Sequence, residues 1–359
     1  MKLVRLANLS HHVCRTGTLV ALALIVAASA HAQSKFNQPG NILITDQFNN
    51  RVIEIDPAGN IVWQYGHGPG DIASSAIVGT NDAERVGNLT LISGTGIPPG
   101  ATKNCKNGCA DNRVLLVDQN GNIVWQYGTF GVTGFGPNQL NTPVQNTYLP
   151  DGHVLITDQG NQRIIEVRRE DNAIVWQYGE NGASGVGLNQ LNSPNSAELL
   201  ANGNVLIADE GNNRAIEVTH VIGSASTIVA SFTASGTAGA MAFASRLPNG
   251  NTLLTDAGNN RIVEVNSTDS VLWEYVTTDR PGSNPAPAPT RAVRLANGNS
   301  LISDQFNDQV IEVNQAKQIV AAYGTINTPG YSPKSALTRM NAPYSAYVIG
   351  DYTGITPPF

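Results

Sequence analysis

The chain has 359 residues, with 21 Lys plus Arg against 27 Asp plus Glu and a formal net charge of −6. Such an acidic balance lacks the basic face that a phosphate backbone requires, which excludes nucleic acid as the main partner. Only 13% of residues are charged while 41% are apolar, so a large core is possible, and 36 Gly with 19 Pro are too few for a collagen-like or disordered chain.

Residues 1–32 read as a secretory signal peptide. Lys2, Arg5 and Arg15 give a basic start, an apolar run follows from Thr18 to Ala30, and Ala30-His31-Ala32 fits the small-x-small cleavage rule. The run of about 13 residues is short of the roughly 20 that a membrane-spanning helix needs, so no membrane span is expected. A mature chain from 33 to 359, periplasmic or secreted, is the expectation. Only Cys105 and Cys109 then remain, and in an exported protein their natural reading is a local disulfide. As a metal site the pair lacks a second Cys pair or a nearby His, and its three-residue spacing is not that of a thioredoxin-type motif.

One phrase organises the rest. It begins as Asn41-Ile-Leu-Ile-Thr-Asp46, continues as Arg51-Val-Ile-Glu54-Ile and ends as Ile-Val-Trp63-Gln-Tyr65-Gly66. It returns around Asp158, Asp209, Asp256 and Asp304, and in a degraded copy with Gly94 in place of the Asp and the two cysteines in an insertion. Each piece is a short apolar strand bounded by Gly/Asn turns. A further strand precedes most copies, as in Ala292-Val-Arg-Leu-Ala-Asn-Gly298. Four antiparallel strands recurring about every 48 residues are the pattern of a β-propeller blade. The first copy lacks its first strand, and Pro343-Tyr-Ser-Ala-Tyr-Val-Ile-Gly350 is a first strand with nothing after it. The fold class expected is therefore all-β: one six-bladed propeller, closed by pairing of the C-terminal strand with the N-terminal blade, without exposed sheet edges.

These copies resemble NHL repeats, notably in Gly-Asn-Asn-Arg214-Ala-Ile-Glu-Val and in the linkers Gly136-Pro-Asn-Gln-Leu-Asn-Thr-Pro143 and Gly187-Leu-Asn-Gln-Leu-Asn-Ser-Pro194. The resemblance covers residues 40–350. It implies a propeller and leaves function open, because NHL propellers serve as protein-binding platforms, RNA binders and enzyme domains. The strand residues also resemble repeats of bacterial arylsulfotransferase propellers, without a matching catalytic histidine.

A residue repeated in every blade does the same structural work in each, so a single active site must break the pattern. The repeated Asp, Arg and Glu are read as structure: the Asp bonds the turn that follows it and the Arg braces that turn or the next blade. Trp63, Trp125, Trp176 and Trp273, with the Tyr two residues later, share one sheet face and fill the space between blades. Among the pattern-breaking residues, His67 lies in a loop between blades and is the one candidate general base. His153 and His220 belong on the opposite rim, so the three histidines are not expected to form one metal site. The rim with His67 also collects the irregular segments 66–73, 94–111, 277–290 and 324–343, and such loops commonly bind something. Arg280, Tyr331 and Lys334 within them are candidate ligand contacts. Arg291 and Arg294, on one inner strand, point to an anionic ligand or to ion pairs with blade carboxylates. No P-loop, dinucleotide fingerprint, His-Glu-x-x-His or Gly-x-Ser-x-Gly motif occurs. The expected function is a binding module for a protein, glycan or small ligand on the loop-rich rim. The alternatives are a lyase, lactonase or sulfotransferase with its site at the channel mouth, or a structural envelope protein. The sequence leaves the cofactor unknown.

Overall fold

The computed structural model describes residues 35–234 and 239–351. The expected signal peptide, 1–32, lies outside them. The described residues form six four-stranded antiparallel sheets. Their inner strands are Thr80–Val86, Pro143–Tyr148, Pro194–Leu199, Met241–Arg246, Arg291–Arg294 and Pro343–Val348, for blades 2, 3, 4, 5, 6 and 1. Each inner strand touches the inner strands of both neighbouring blades, and the cycle closes on itself. Blade 1 is completed as its sequence requires: Pro343–Val348 pairs with Ile42–Asp46 in the register Ile42↔Val348, Leu43↔Tyr347, Ile44↔Ala346.

The core consists of the spaces between blades. Leu43 and Tyr65 of blade 1 pack with Ile92 and Leu115 of blade 2, and so on round the ring to Leu301 and Val310 of blade 6, which pack with Ile44 and Ile53 of blade 1. A blade between two others is buried on both faces, so its middle strands read as unbroken apolar runs rather than alternating ones. Ile42–Asp46 and Val154–Asp158 are buried at every position. The low charge of the chain follows from this: each sheet meets water mainly at its ends and outer edge. The repeated tryptophans reach across to the following blade, the Trp63 and Trp273 indoles donating to the Gln119 and Gln315 carbonyls and the Trp125 indole to the Asn172 side chain.

The glycine that ends each Trp-Gln-Tyr-Gly phrase is required twice over. Gly66, Gly128 and Gly179 have φ of +91°, +91° and +100°, and a Cβ there would lie 2.2–2.3 Å from the carbonyl oxygen of Asn50, Asn112 and Gln162 respectively. The Cys105–Cys109 disulfide is formed. Among the described residues no helix is long and apolar enough to cross a membrane.

Candidate functional site

The rim is built on a repeated clamp. In blade 3 Asp158 ends the second strand, a single 3-10 turn (Gln159–Asn161) follows, and Arg163 opens the third strand with its Nε 2.8 Å from Asp158 Oδ2. Asp158 does not bond the backbone of its own turn, as the sequence suggested. It accepts from the Asn161 side chain and, at 2.8 Å, from the backbone N–H of Asn141 in the loop entering the same blade. The same contacts recur at Asp46 with Asn341 and at Asp209 with Asn192. The aspartates are buried by the turn and the incoming loop together, so an acceptor facing that loop satisfies a backbone donor that would otherwise be orphaned. Both breaks in the pattern are repaired from elsewhere. Asp111, at the end of the insertion, takes the place of the carboxylate missing at Gly94 and pairs with Arg113. Arg280, from the loop between blades 5 and 6, reaches Asp304 and donates to Gln309 Oε1 at 3.0 Å, replacing the arginine missing at 309.

With the rim fixed in this way, the disulfide loop stands over a groove of about 550 Å³ that leads to the channel mouth. Gln47, Asn81, Asn107, Asn112, Asn141 and Gln159 line it, together with Thr95, Pro98, Pro99 and the disulfide, and among the described residues no charged side chain does. At the mouth the residue after each repeated Asp points inward. Gln305 donates to Gln47 (2.8 Å), Gln47 to Asn81 (2.7 Å), and Gln159 to Glu210 (3.2 Å); Tyr344 donates to Asn195 (2.8 Å). Burial pushes the Glu210 carboxyl up to about 7. It also raises the Tyr344 hydroxyl, helped by the nearby Glu210 charge.

Below this ring the channel is filled. Arg291 pairs with Asp82 at 2.5 Å across it and stacks on Phe243, leaving about 10 Å³ between the lining side chains, room for one water. Two more carboxyls tie inner strands together: Glu84 accepts the Tyr148 N–H at 2.8 Å, and Glu198 accepts the Arg246 N–H at 3.1 Å. Burial pushes them to about 8 and about 7 respectively, with Asp82 adding to the rise at Glu84.

The sequence candidates are dispersed over this frame. His67 is exposed, and its Nδ1 lies 2.5 Å from Asp71 Oδ2 in its own loop. Tyr331 lies under the Arg51 guanidinium, 4.5 Å from it, and contacts the loop of His67. Lys334 is exposed but not on that rim as expected: its segment runs down the outer edge of blade 1, its carbonyl accepts the Ile61 N–H at the start of the fourth strand, and Ser335 pairs with Asn60 of the turn at the opposite rim. Arg291 and Arg294 do not converge: Arg291 faces the channel, whereas Arg294 pairs with Glu264 at 3.0 Å and stacks on Trp273. Arg294 thereby repeats the clasp that Arg85 makes with Glu54 and Arg246 with Glu217. Sequence reasoning missed Gln47, Asn81, Gln159 and Glu210. The available signal was the position after the repeated Asp, which reads Gln, Gln, Glu, Ala, Gln and so varies inside an otherwise fixed phrase.

Residues 110–334 match the PQQ_2 family model, described as "Outer membrane protein assembly factor BamB". A 100-residue stretch is 37% identical to mouse (Mus musculus) NHL repeat-containing protein 3, covering 26% of this chain and 27% of that one, so the chain spans about a quarter of the curated relative's length. A protein of unknown function from Bacteroides caccae superposes with a TM-score of 0.55 at 16% identity, over 81% of this chain and 98% of the other. A catalytically inactive virginiamycin B lyase from Staphylococcus aureus with quinupristin does so at 0.51 and 13%, over 84% and 86%. At such identities these two likenesses concern the fold. The chain belongs to the family described as outer membrane protein assembly factor BamB, and within it is a six-bladed β-propeller of NHL-type repeats.

Proposed function

We propose that this protein is an exported binding module that holds an extended, uncharged segment of a partner protein in the groove beneath the disulfide loop. The observation that carries this reading is the lining: six amide side chains and three threonines (Thr95, Thr133, Thr142), with no charge and no aromatic ring. The amides of Asn107 and Asn141 present a donor and an acceptor each, matching a peptide backbone, whereas a sugar-binding groove usually presents a ring face for stacking. The family description, with its reference to protein assembly, supports a polypeptide partner. The disulfide and the absence of a membrane-crossing helix among the described residues fit a periplasmic or extracellular setting. The test is a peptide array of unfolded segments from exported proteins, probed beside a glycan array. Peptide binding that is lost in the exposed-site variant Asn107→Arg supports the reading. Glycan binding alone transfers the groove to a carbohydrate, and equal binding by the variant moves the site elsewhere.

A second reading has one observation in its favour. Glu210, held near 7 at the channel mouth beside Gln159, is poised as a general acid or base for a lyase, lactonase or sulfotransferase-type reaction. Turnover that disappears in Glu210→Gln establishes it; turnover unchanged in that variant removes it.

A further inference from the structure

The repeated Glu of the third strand is held in the same way in most blades. In blade 4 the turn Asn202-Gly203-Asn204 donates two amides to Glu217, at 2.9 and 2.7 Å, and Arg246 of blade 5 pairs with its other oxygen. Blade 5 repeats this with Asn251 and Arg294 on Glu264, and blade 6 uses Asn297 and Asn299 on Glu312. Blade 3 is different at every one of these positions. Its turn is Asp151-Gly152-His153, and the inner strand of blade 4 carries Leu199 where blades 5 and 6 carry Arg246 and Arg294. His220, just past the third strand of blade 4, fills the arginine's place. His153 Nδ1 lies 2.6 Å from Glu166 Oε1, and His220 Nε2 lies 2.5 Å from Glu166 Oε2.

The exchange of Asn for Asp151 removes a donor and adds a second carboxylate, its Oδ2 3.2 Å from the same His153 Nδ1. Two carboxylates thus face a single ring nitrogen, and the arginine that neutralises the glutamate in blades 1, 4 and 5 is gone. Arg169, on the adjoining turn, donates instead to the Gly152 carbonyl and the Tyr148 hydroxyl. The ligand atoms of Asp151, His153 and Glu166 lie within 4.8 Å of one another, close enough that small side-chain movements bring them to the bonds of about 2.0–2.2 Å that zinc makes. Trp176, edge-on at 4.6 Å, fixes the His220 ring beside them. Glu166 is buried while Asp151 is half-exposed, which gives the cluster a firm wall and an opening to solvent.

We propose that Asp151, His153, Glu166 and His220 form a site for a divalent transition-metal ion of the Zn²⁺ type, stapling blade 3 to blade 4 on the face opposite the groove. Imidazole and carboxylate ligands together suit zinc rather than the all-oxygen demand of calcium or magnesium. Each imidazole binds the ion as the neutral ring, through the nitrogen now facing Glu166 and with its proton on the other ring nitrogen. The test uses mature protein freed of metal with EDTA and titrated with zinc alone, read by calorimetry, native mass spectrometry and melting temperature. One zinc per chain with a raised melting temperature is expected. Asp151→Asn with His153→Asn rebuilds the Asn-Gly-Asn clasp of blades 4 to 6, so this variant is expected to fold with its glutamate satisfied and to lose stoichiometric zinc. Asp151→Asn alone, at an exposed turn position, provides the same reading if the double variant misfolds. His67→Ala is expected to keep the zinc. No stoichiometric zinc on the wild-type chain, or undiminished zinc in the variants at 151 and 153, overturns the assignment.

Discussion

The Asp111 carboxylate occupies the space that a side chain at Gly94 would fill: a Cβ on Gly94 would lie 2.5 Å from the Asp111 Cγ. Asp111 then pairs with Arg113 at 2.6 Å and accepts the Val78 N–H at 2.7 Å, as Asp46, Asp158 and Asp209 pair with their own arginines and incoming loops. Arg113 is buried, so Asp111→Ala strands a guanidinium in the rim. A loss of roughly 3–5 kcal/mol is expected from breaking a buried pair. Chemical denaturation checks this, with Asp118→Ala, at an exposed turn, as the near-neutral reference. Gly94→Asp alone is also destabilising, because it brings two carboxylates into one place.

The clamp of blade 6 permits a rescue experiment. Arg280→Ala leaves Asp304 buried with only the Asn307 amide, at 2.8 Å, as a side-chain donor. A loss of roughly 3 kcal/mol is expected at pH 8. The loss is smaller at pH 5, because burial already pushes Asp304 up to about 6 against the pull of Arg280, and a neutral carboxyl does not need the guanidinium. Adding Gln309→Arg restores the arginine at the position used in the other blades and is expected to recover most of the stability. Denaturation of the single and double variants at both pH values decides it.

Several buried carboxyls set the pH dependence of the fold. Burial raises Glu84 from an ordinary 4.5 to about 8, Glu198 to about 7, and Asp304 and Asp308 from 3.8 to about 6. A carboxyl whose folded value lies above its unfolded one binds more proton in the folded state. Its contribution is complete below about pH 4 and is lost as pH rises through the folded value. Stability is therefore expected to fall between pH 5 and pH 8.5, by up to about 1.4 kcal/mol per pH unit for each group in its range. Glu84→Gln flattens the upper part of that curve, between about pH 6 and 8. Denaturant midpoints measured across pH for wild type and variant provide the check, and a midpoint rising over this interval contradicts the assignment.

The disulfide closes a loop with a sequence separation of only 4. Its chain-entropy contribution is roughly 2 kcal/mol. Cys105→Ser with Cys109→Ser is accordingly expected to fold with a modestly lower melting temperature. Because the loop roofs the groove, partner binding is expected to weaken far more than stability does, and calorimetry on the folded variant separates the two effects.

The repeat carried most of the fold. Blade count, strand order and closure by residues 343–348 follow from the spacing of the copies and from the unpaired first strand, since each sheet must bury both faces and the first blade lacks an inner strand of its own. The exceptions were harder to read. Nothing in one dimension brings Asp111 to Gly94 or Arg280 to Asp304, because both repairs come from irregular loops whose path depends on the packed rim. Arg291 and Arg294 looked like a pair on one strand, yet three residues apart on a pleated strand they face opposite sides. His153 and His220 were placed on the correct rim but not together, since their meeting point, Glu166, is shared between two blades. The groove is lined by amides that carry no motif, so only the loop lengths hinted at it.

Hydrogen exchange of the protein with and without a bound partner segment tests the binding rim most directly. Protection is expected in residues 94–111 and in the turns at 47–49 and 159–161, with the Asp151–His153 face unchanged. Protection confined to that opposite face, or to the outer edges of the blades, would contradict the groove as the place where this protein binds.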